Sequence, residues 1–395
     1  MKIITLFLAL ALTGLAQDPD ATARFLAGES IDGTALASFS QVPAWRDHSQ
    51  QIESAWKQSE QRQLGKIRTW APENLGSIHS SPSPVFYFFS GPDILYAQAL
   101  FPNAGTYVLC AKEPVGNVTN VAEIPPGDLP LALAGLRKSL TSLLNWSFFI
   151  TQDLRLDIKQ RHFTGILPVL EILLSKSGAR ITEVAFVSCD KSGGIAIGGG
   201  KGTPGVRLRF NRGGGQQTLF YFAADLSNGG LQTHDGLLRF CERLGRGQSL
   251  LKAASYLPHE GSFSRVREWL LAHSRTIVQD PSGIPFRDFD PNQWRIRLWG
   301  NHGKPIELFA KYQQPHLENA LAAAPRPDLP FGFGYQHLPS NAVMIVAERQ
   351  GGAPTTSSPS EPSIPVAKPV PSPRRVLATP PAASERIAEP GGLRR

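Results

Sequence analysis

Along this chain the apolar positions change period several times, and each change marks an element. Ile3 to Leu12 is an almost unbroken apolar run behind Met1-Lys2, and it ends in Thr13-Gly14-Leu15-Ala16. A positive start, a short apolar run and small residues at Gly14 and Ala16 make an export signal over residues 1–16, with the mature chain beginning near Gln17. Residues 17–43 are polar apart from Phe25-Leu26 and read as a loosely attached lead-in. Trp45, Ile52, Trp56, Leu64, Ile67 and Trp70 then recur near one face of a long helix. A tryptophan stripe has the chemistry of a carbohydrate platform, but this spacing favours the buried face of a packed helix.

From residue 73 the pattern becomes that of an α/β domain. Val85-Phe86-Tyr87-Phe88-Phe89, a turn at Ser90-Gly91-Pro92-Asp93, a helix-like Ile94 to Leu100 and Thr106-Tyr107-Val108-Leu109-Cys110 predict strand, turn, helix and strand. Ser90 or Gly91 suits the helix cap, Pro92 the first helical position and Asp93 the positive helix end. Leucines from Leu129 to Leu144 predict an amphipathic helix, and Ile166 to Lys176 predicts another that stops at Gly178. Strands are expected at Ile181–Cys189, Val206–Phe210 and Thr218–Ala224, joined by connections too short for crossover helices and therefore antiparallel. Gly236–Ser255 reads as one or two helices, and Phe263, Val266, Trp269 and Leu270 mark a further one. Thr276–Gln279, Trp294–Trp299 and Asn341–Ala347 read as strands, the first closed by a type I turn at Asp280-Pro281-Ser282-Gly283 and the second by Gly300-Asn301-His302-Gly303. The expected fold is α/β: a single domain over 73–349 with a mixed sheet, a βαβ unit plus an antiparallel meander, flanked by helices in a Rossmann-like arrangement. A helical arm over 17–72 precedes it. Residues 350–395 collapse to Pro, Ser, Ala and Thr and read as a disordered basic tail.

Composition and charge narrow the function classes. The formal net charge is +8, of which the tail contributes +3 through Lys368, Arg374, Arg375, Arg386, Arg394 and Arg395 against Glu361, Glu385 and Glu389. The folded part is only mildly basic, so nucleic acid is not an expected partner. The Pro-rich tail suits docking on anionic cell-envelope polymers instead, in a periplasmic or extracellular setting. After the leader, no run is long enough for a transmembrane segment. Cys110, Cys189 and Cys241 allow at most one disulfide, and their wide spacing gives no zinc knuckle. The sequence is silent on oligomeric state.

Candidate chemistry gathers at a few turns. Gly200-x-Gly202-x-x-Gly205 has the spelling of a dinucleotide loop, yet it leads into the strand at Val206 and offers no helix N-terminus for a pyrophosphate. The turn Ser90, Gly91 and Asp93 is a better candidate, because open α/β sheets hold ligands at strand-to-helix turns. Glu113, at the end of the next strand, stands where Rossmann-like folds hold a ribose, which makes a degenerate methyltransferase-like fold without cofactor one reading. A solvent-facing glutamate is the plainer one. Ser90 is also a candidate nucleophile, although it lacks the small neighbours of a G-x-S-x-G elbow. His259, Glu260, Asp280 and Arg287 cluster around a helix and a turn and are expected to border a cleft. No residue pattern calls for a cofactor or metal.

The segments Tyr87-Phe88-Phe89-Ser90-Gly91-Pro92-Asp93, Phe101-Pro102-Asn103-Ala104, Thr106-Tyr107-Val108-Leu109 and Glu113-Pro114-Val115-Gly116 resemble a family of exported bacterial proteins of uncharacterised activity. So do Ser255-Tyr256-Leu257 and Gln279-Asp280-Pro281-Ser282-Gly283-Ile284-Pro285. The resemblance runs from Trp45 to Ala347 and implies one exported domain type, with no catalytic residue attached. Three functions are therefore expected to compete: binding of a small molecule or protein partner in the cell envelope, hydrolysis through Ser90 or a nearby carboxylate, and the methyltransferase-like shell.

Overall fold

A computed structural model of the protein describes residues 18–146, 162–301, 304–323 and 325–351. Residues 1–16, expected to be an export signal, the Pro-rich tail beyond residue 351 and the tip of the Gly300 turn at His302-Gly303 lie outside the described residues. Strand β1 (Val85–Phe88) is aromatic and branched and buried at every position. Helix α4 (Ile94–Leu100) carries the chain from β1 to strand β2 (Thr106–Ala111), which pairs with β1 in parallel from Val85↔Tyr107 to Phe88↔Cys110. Alternation along the strands sends Val85, Tyr87 and Leu109 into one apolar core and Phe86, Phe88, Val108 and Cys110 into the other. The sheet is thus covered on both faces, and the described residues form one α/β domain.

The remaining strands are β3 (Arg180–Cys189), β4 (Ile195–Ile197), β5 (Thr203–Arg212), β6 (Gly215–Ala223), β7 (Gly247–Leu251), β8 (Ser274–Gln279), β9 (Trp294–Gly300) and β10 (Val343–Arg349). They form one ten-stranded sheet in the order β4-β3-β5-β6-β2-β1-β7-β8-β10-β9. Strands β6, β2, β1, β7 and β8 run parallel, with antiparallel additions at both edges. The expected meander of β3, β5 and β6 is present. Its β5–β6 hairpin turns through Gly213 (φ 58°) and Gly214 (φ 84°), the left-handed pair that a two-residue loop between twisted strands requires.

Helices α1 (Pro19–Leu26), α2 (Pro43–Ser59), α3 (Gly65–Leu75), α5 (Leu129–Trp146) and α6 (Leu167–Lys176) share the first core with α4. Helices α7 (Leu231–His234), α8 (Gly236–Arg243) and α9 (Ser264–His273) cover the other face, and α10 (Pro315–Ala323) packs beside β9 and β10. The tryptophan stripe is a packed face. Trp45 and Trp70 are buried, and Trp70 meets Trp299 and Phe331 edge-on, each at 5.4 Å between ring centroids.

Three local expectations are corrected. Residues 18–36 are not loosely attached: Phe25, Leu26 and Ile31 are buried, Trp45 Nε1 donates to Phe25 O at 3.0 Å, and Ile181 N donates to Asp20 Oδ1 at 3.0 Å. Few apolar residues suffice because Phe25 and Leu26, at the end of α1, and Ile31 beyond it all reach the core. The cap of α4 is Asp93, whose Oδ1 accepts from Tyr96 N at 3.4 Å, so Pro92 precedes the helix and Ser90 and Gly91 form the turn before it. Within Gly236–Ser255 the helix ends at Arg243, and Gly247–Leu251 is the central strand β7. Its polar residues hide the strand pattern, yet both are buried and bonded: Gln248 Nε2 donates to Ile78 O at 2.9 Å, and Ser249 Oγ lies 2.7 Å from Ser274 Oγ.

Candidate ligand pocket at the strand switch point

Strand β1 has β2 on one side and β7 on the other, and the chain leaves β1 only toward β2. The connections therefore diverge at the C-terminal end of β1, the place where open α/β sheets leave a crevice. A pocket of about 120 Å³ opens there, lined by Phe89, Ser90, Gly91 and Asp93 after β1, Ala111–Glu113 at the end of β2, Ala224 and Leu226 after β6, and Lys252, Ala253 and Ser255 after β7. Leu257 and Phe263 complete its apolar wall.

The backbone around the pocket is strained. Among the described residues, the non-glycine positions with left-handed φ are Phe89 (62°), Ala253 (52°), Ser255 (53°) and Tyr256 (54°). All four follow β1 or β7. Each costs about 1–2 kcal/mol, so tertiary contacts must hold them. Ala253 N donates to Asp280 Oδ1 at 3.3 Å, Ala254 N to Ser282 Oγ at 2.8 Å and Ser255 N to Tyr335 Oη at 3.1 Å. The Tyr256 ring stacks on Tyr312 at 4.7 Å, and Phe89 meets Phe263 at 5.8 Å.

A buried ion pair forms the floor. Lys252 Nζ lies 2.9 Å from Asp93 Oδ2, with the two side chains 1% and 2% exposed. Tyr87 Oη donates to the same oxygen at 2.8 Å, and the Lys252 ammonium sits 3.8 Å from the centre of the Tyr96 ring. Burial, reinforced by the Asp93 charge, holds the Tyr87 phenol well above its ordinary pKa, so Tyr87 stays a donor. At the rim Lys112 pairs with Asp225 at 2.8 Å. Glu113 is buried at the end of β2 and borders the pocket, which corrects the expectation of a solvent-facing residue. The β2 end is roofed by neighbouring strands, and Tyr221 Oη donates to Glu113 O at 2.9 Å.

The expected site residues divide into three places. Ser90, Gly91, Asp93 and Glu113 come together in this pocket. Asp280 is a buttress behind it: the buried carboxylate accepts from Ser282 Oγ at 2.5 Å, Ser282 N at 3.2 Å, Ala253 N at 3.3 Å and Tyr335 N at 3.3 Å. Burial pushes its pKa up to about 6, against the pull of those donors and of Lys252. His259 and Arg287 do not reach the pocket; they border a separate depression with Glu260, Lys311, Tyr312 and Gln314. The Arg287 side chain is 70% exposed, because the turn after Pro285 points outward. His259 Nε2 donates to Pro281 O at 3.2 Å, and burial lowers its pKa to about 4, so the ring is neutral.

The Ser90 hydroxyl donates to Gly91 O at 2.8 Å, and no histidine lines the pocket. The glycine loop at Gly200 to Gly205 connects β4 to β5, as its context requires. The three cysteines are free and buried, and among the described residues no group of His, Cys, Asp and Glu is arranged for a metal. No helix among them is long and apolar enough to cross a membrane. Lys252, Tyr87 and Ser255 are site residues that sequence reasoning missed, and the unrecognised strand β7 accounts for two of them. No protein-family model, curated protein or solved structure matches the chain.

Proposed function

We propose that this is an exported protein that binds a small molecule in the switch-point pocket. One convergence carries the reading: three of the four strained non-glycine residues, Phe89, Ala253 and Ser255, and the most deeply buried ion pair among the described residues meet at one cavity. At about 1–2 kcal/mol for each of the three, the strain there amounts to roughly 3–6 kcal/mol. That is a large share of the net stability of a domain, about 5–15 kcal/mol. Strain of that size concentrated at one crevice fits a site that must present fixed backbone to a ligand. The test is a fragment screen on the mature protein by NMR shift mapping, repeated with Leu226→Trp, which fills the cavity. Binders that shift Phe89, Lys252 and Ser255 and are lost in the Trp variant support the function. An empty screen, or binding that survives the variant, removes it.

A degenerate methyltransferase-like shell without cofactor is the second reading. Two observations favour it: Glu113 borders the pocket from the end of β2, and the order β6-β2-β1-β7-β8-β10-β9 with β10 reversed is that of methyltransferase-like sheets. Glu113 fits a ribose, whereas the β1 turn does not fit a bound adenosyl cofactor, since its helix end is capped by Asp93. No transfer step follows from these residues. Titration with S-adenosylmethionine tests the shell: no binding is expected, and binding excludes a fold that has lost its cofactor. The basic tail is proposed to dock the domain on anionic envelope polymers. Truncation after Gln350 should then abolish salt-sensitive retention on such polymers, and unchanged retention would exclude docking.

A further inference from the structure

We infer that Asp93 occupies the anion seat of its own pocket, so that the site takes uncharged or cationic ligands and turns away phosphate and carboxylate groups. The inference rests on the small-molecule reading above and names the ligand class. An anion at the switch point of an α/β sheet is ordinarily held by backbone N–H groups beyond the first strand and by a nearby basic side chain. Here the Tyr96 N–H at the helix end and the Lys252 ammonium are both committed to Asp93. Asp93 Oδ1 accepts from Tyr96 N at 3.4 Å, while Oδ2 accepts from Tyr87 Oη at 2.8 Å and Lys252 Nζ at 2.9 Å. Pro92 has no N–H to offer. The pocket's other lysine, Lys112, is held by Asp225 at 2.8 Å.

A ligand oxyanion entering this floor would have to draw Lys252 away from Asp93 and would then face that carboxylate at close range. In a site this buried, such a like-charge contact weakens binding by about tenfold or more. A ligand hydroxyl or ammonium meets the opposite situation. Carboxylates at Asp93 and Glu113 border the cavity as acceptors, and Phe89, Leu226, Leu257 and Phe263 supply apolar surface for the body of the molecule.

Two experiments test the seat and the ligand class separately. Asp93→Ala removes the built-in carboxylate and leaves the Lys252 ammonium facing the space. Acetate, compared with chloride at equal ionic strength, is expected to raise the melting temperature of this variant and not that of the wild type. The rescue should vanish in Asp93→Ala/Lys252→Met. Acetate or phosphate that stabilises the wild type equally, or a folded Asp93→Ala that gains nothing, overturns the inference. Should Asp93→Ala fail to fold, Asp93→Asn keeps the cap acceptor, and benzoate binding must then improve about tenfold over the wild type. For the ligand class, benzylamine, benzyl alcohol and benzoate are compared by NMR shift mapping on the wild type. The first two should perturb the pocket, with benzoate about tenfold weaker or absent. Equal binding of benzoate overturns the exclusion. If none of the three reaches the pocket while acetate rescues Asp93→Ala, the binding function falls and the seat stands.

Discussion

Replacing Lys252 with Met is expected to destabilise the protein by about 3–5 kcal/mol at neutral pH, the usual effect of breaking a buried ion pair from one side. Met retains most of the aliphatic stem, so the loss is electrostatic. At 2.9 Å and an effective dielectric of about 20, the attraction between the two charges is about 6 kcal/mol. Contact of the ammonium with the Tyr96 ring at 3.8 Å adds about 1–2 kcal/mol. Against these stands the desolvation that a buried ammonium suffers and Met does not, which brings the net to the stated range. In the variant Asp93 keeps only the Tyr87 hydroxyl and the Tyr96 N–H as donors. Asp93→Asn/Lys252→Met should recover most of the loss at neutral pH. The assay is urea unfolding followed by tryptophan fluorescence at pH 7. A loss below about 1 kcal/mol, or no recovery in the double variant, refutes the ion-pair argument.

Asp280 makes a pH-dependent contribution. Burial raises its pKa to about 6, so between the ordinary carboxylate value and about 6 the native state binds more protons than the unfolded one. Stability from this group is therefore lost as pH rises through that window, by about 3 kcal/mol, and Asp280→Asn should flatten the slope of the urea midpoint. A wild-type curve that is flat there contradicts the burial argument. Glu171, enclosed in α6 and raised to about 8 by burial, acts in the same direction over a higher range, so Glu171→Gln should be more stable than wild type in mildly alkaline buffer. Thermal unfolding at pH 8–9 reads this directly, and an unchanged or lower melting temperature argues against it. Phe25→Ala should cost about 3–5 kcal/mol, because its ring is fully buried against Phe39 and Trp45. A loss below about 1 kcal/mol would mean that α1 is detachable after all.

How much of the candidate site could be read in advance depended on how local each residue's environment is. Ser90, Gly91, Asp93 and Glu113 follow strands whose aromatic and branched runs announce themselves, and the turn between strand and helix is written in neighbouring residues. Lys252 follows a strand whose polar Gln248 and Ser249 bond to Ile78 and Ser274, partners distant in sequence, so no window around Gly247–Leu251 contains the reason for its conformation. Asp280 and Arg287 lie seven residues apart in one turn-rich stretch. One is roofed by Tyr335 and Ala253 and the other points to water, a division that contacts across the fold impose.

The helices, the βαβ unit and the antiparallel meander were determined by the sequence itself, because period, caps and glycine turns act over a few residues. The order of the sheet belongs to the tertiary structure. That order puts β7 beside β1, makes a crevice of their ends, and holds Phe89, Ala253, Ser255 and Tyr256 in conformations that their own propensities oppose. Burial decided the rest: it turned Glu113 inward, bound residues 18–36 into the core, and fixed Asp93 and Lys252 as partners, since a charge removed from water persists only where the fold brings its counter-charge to it.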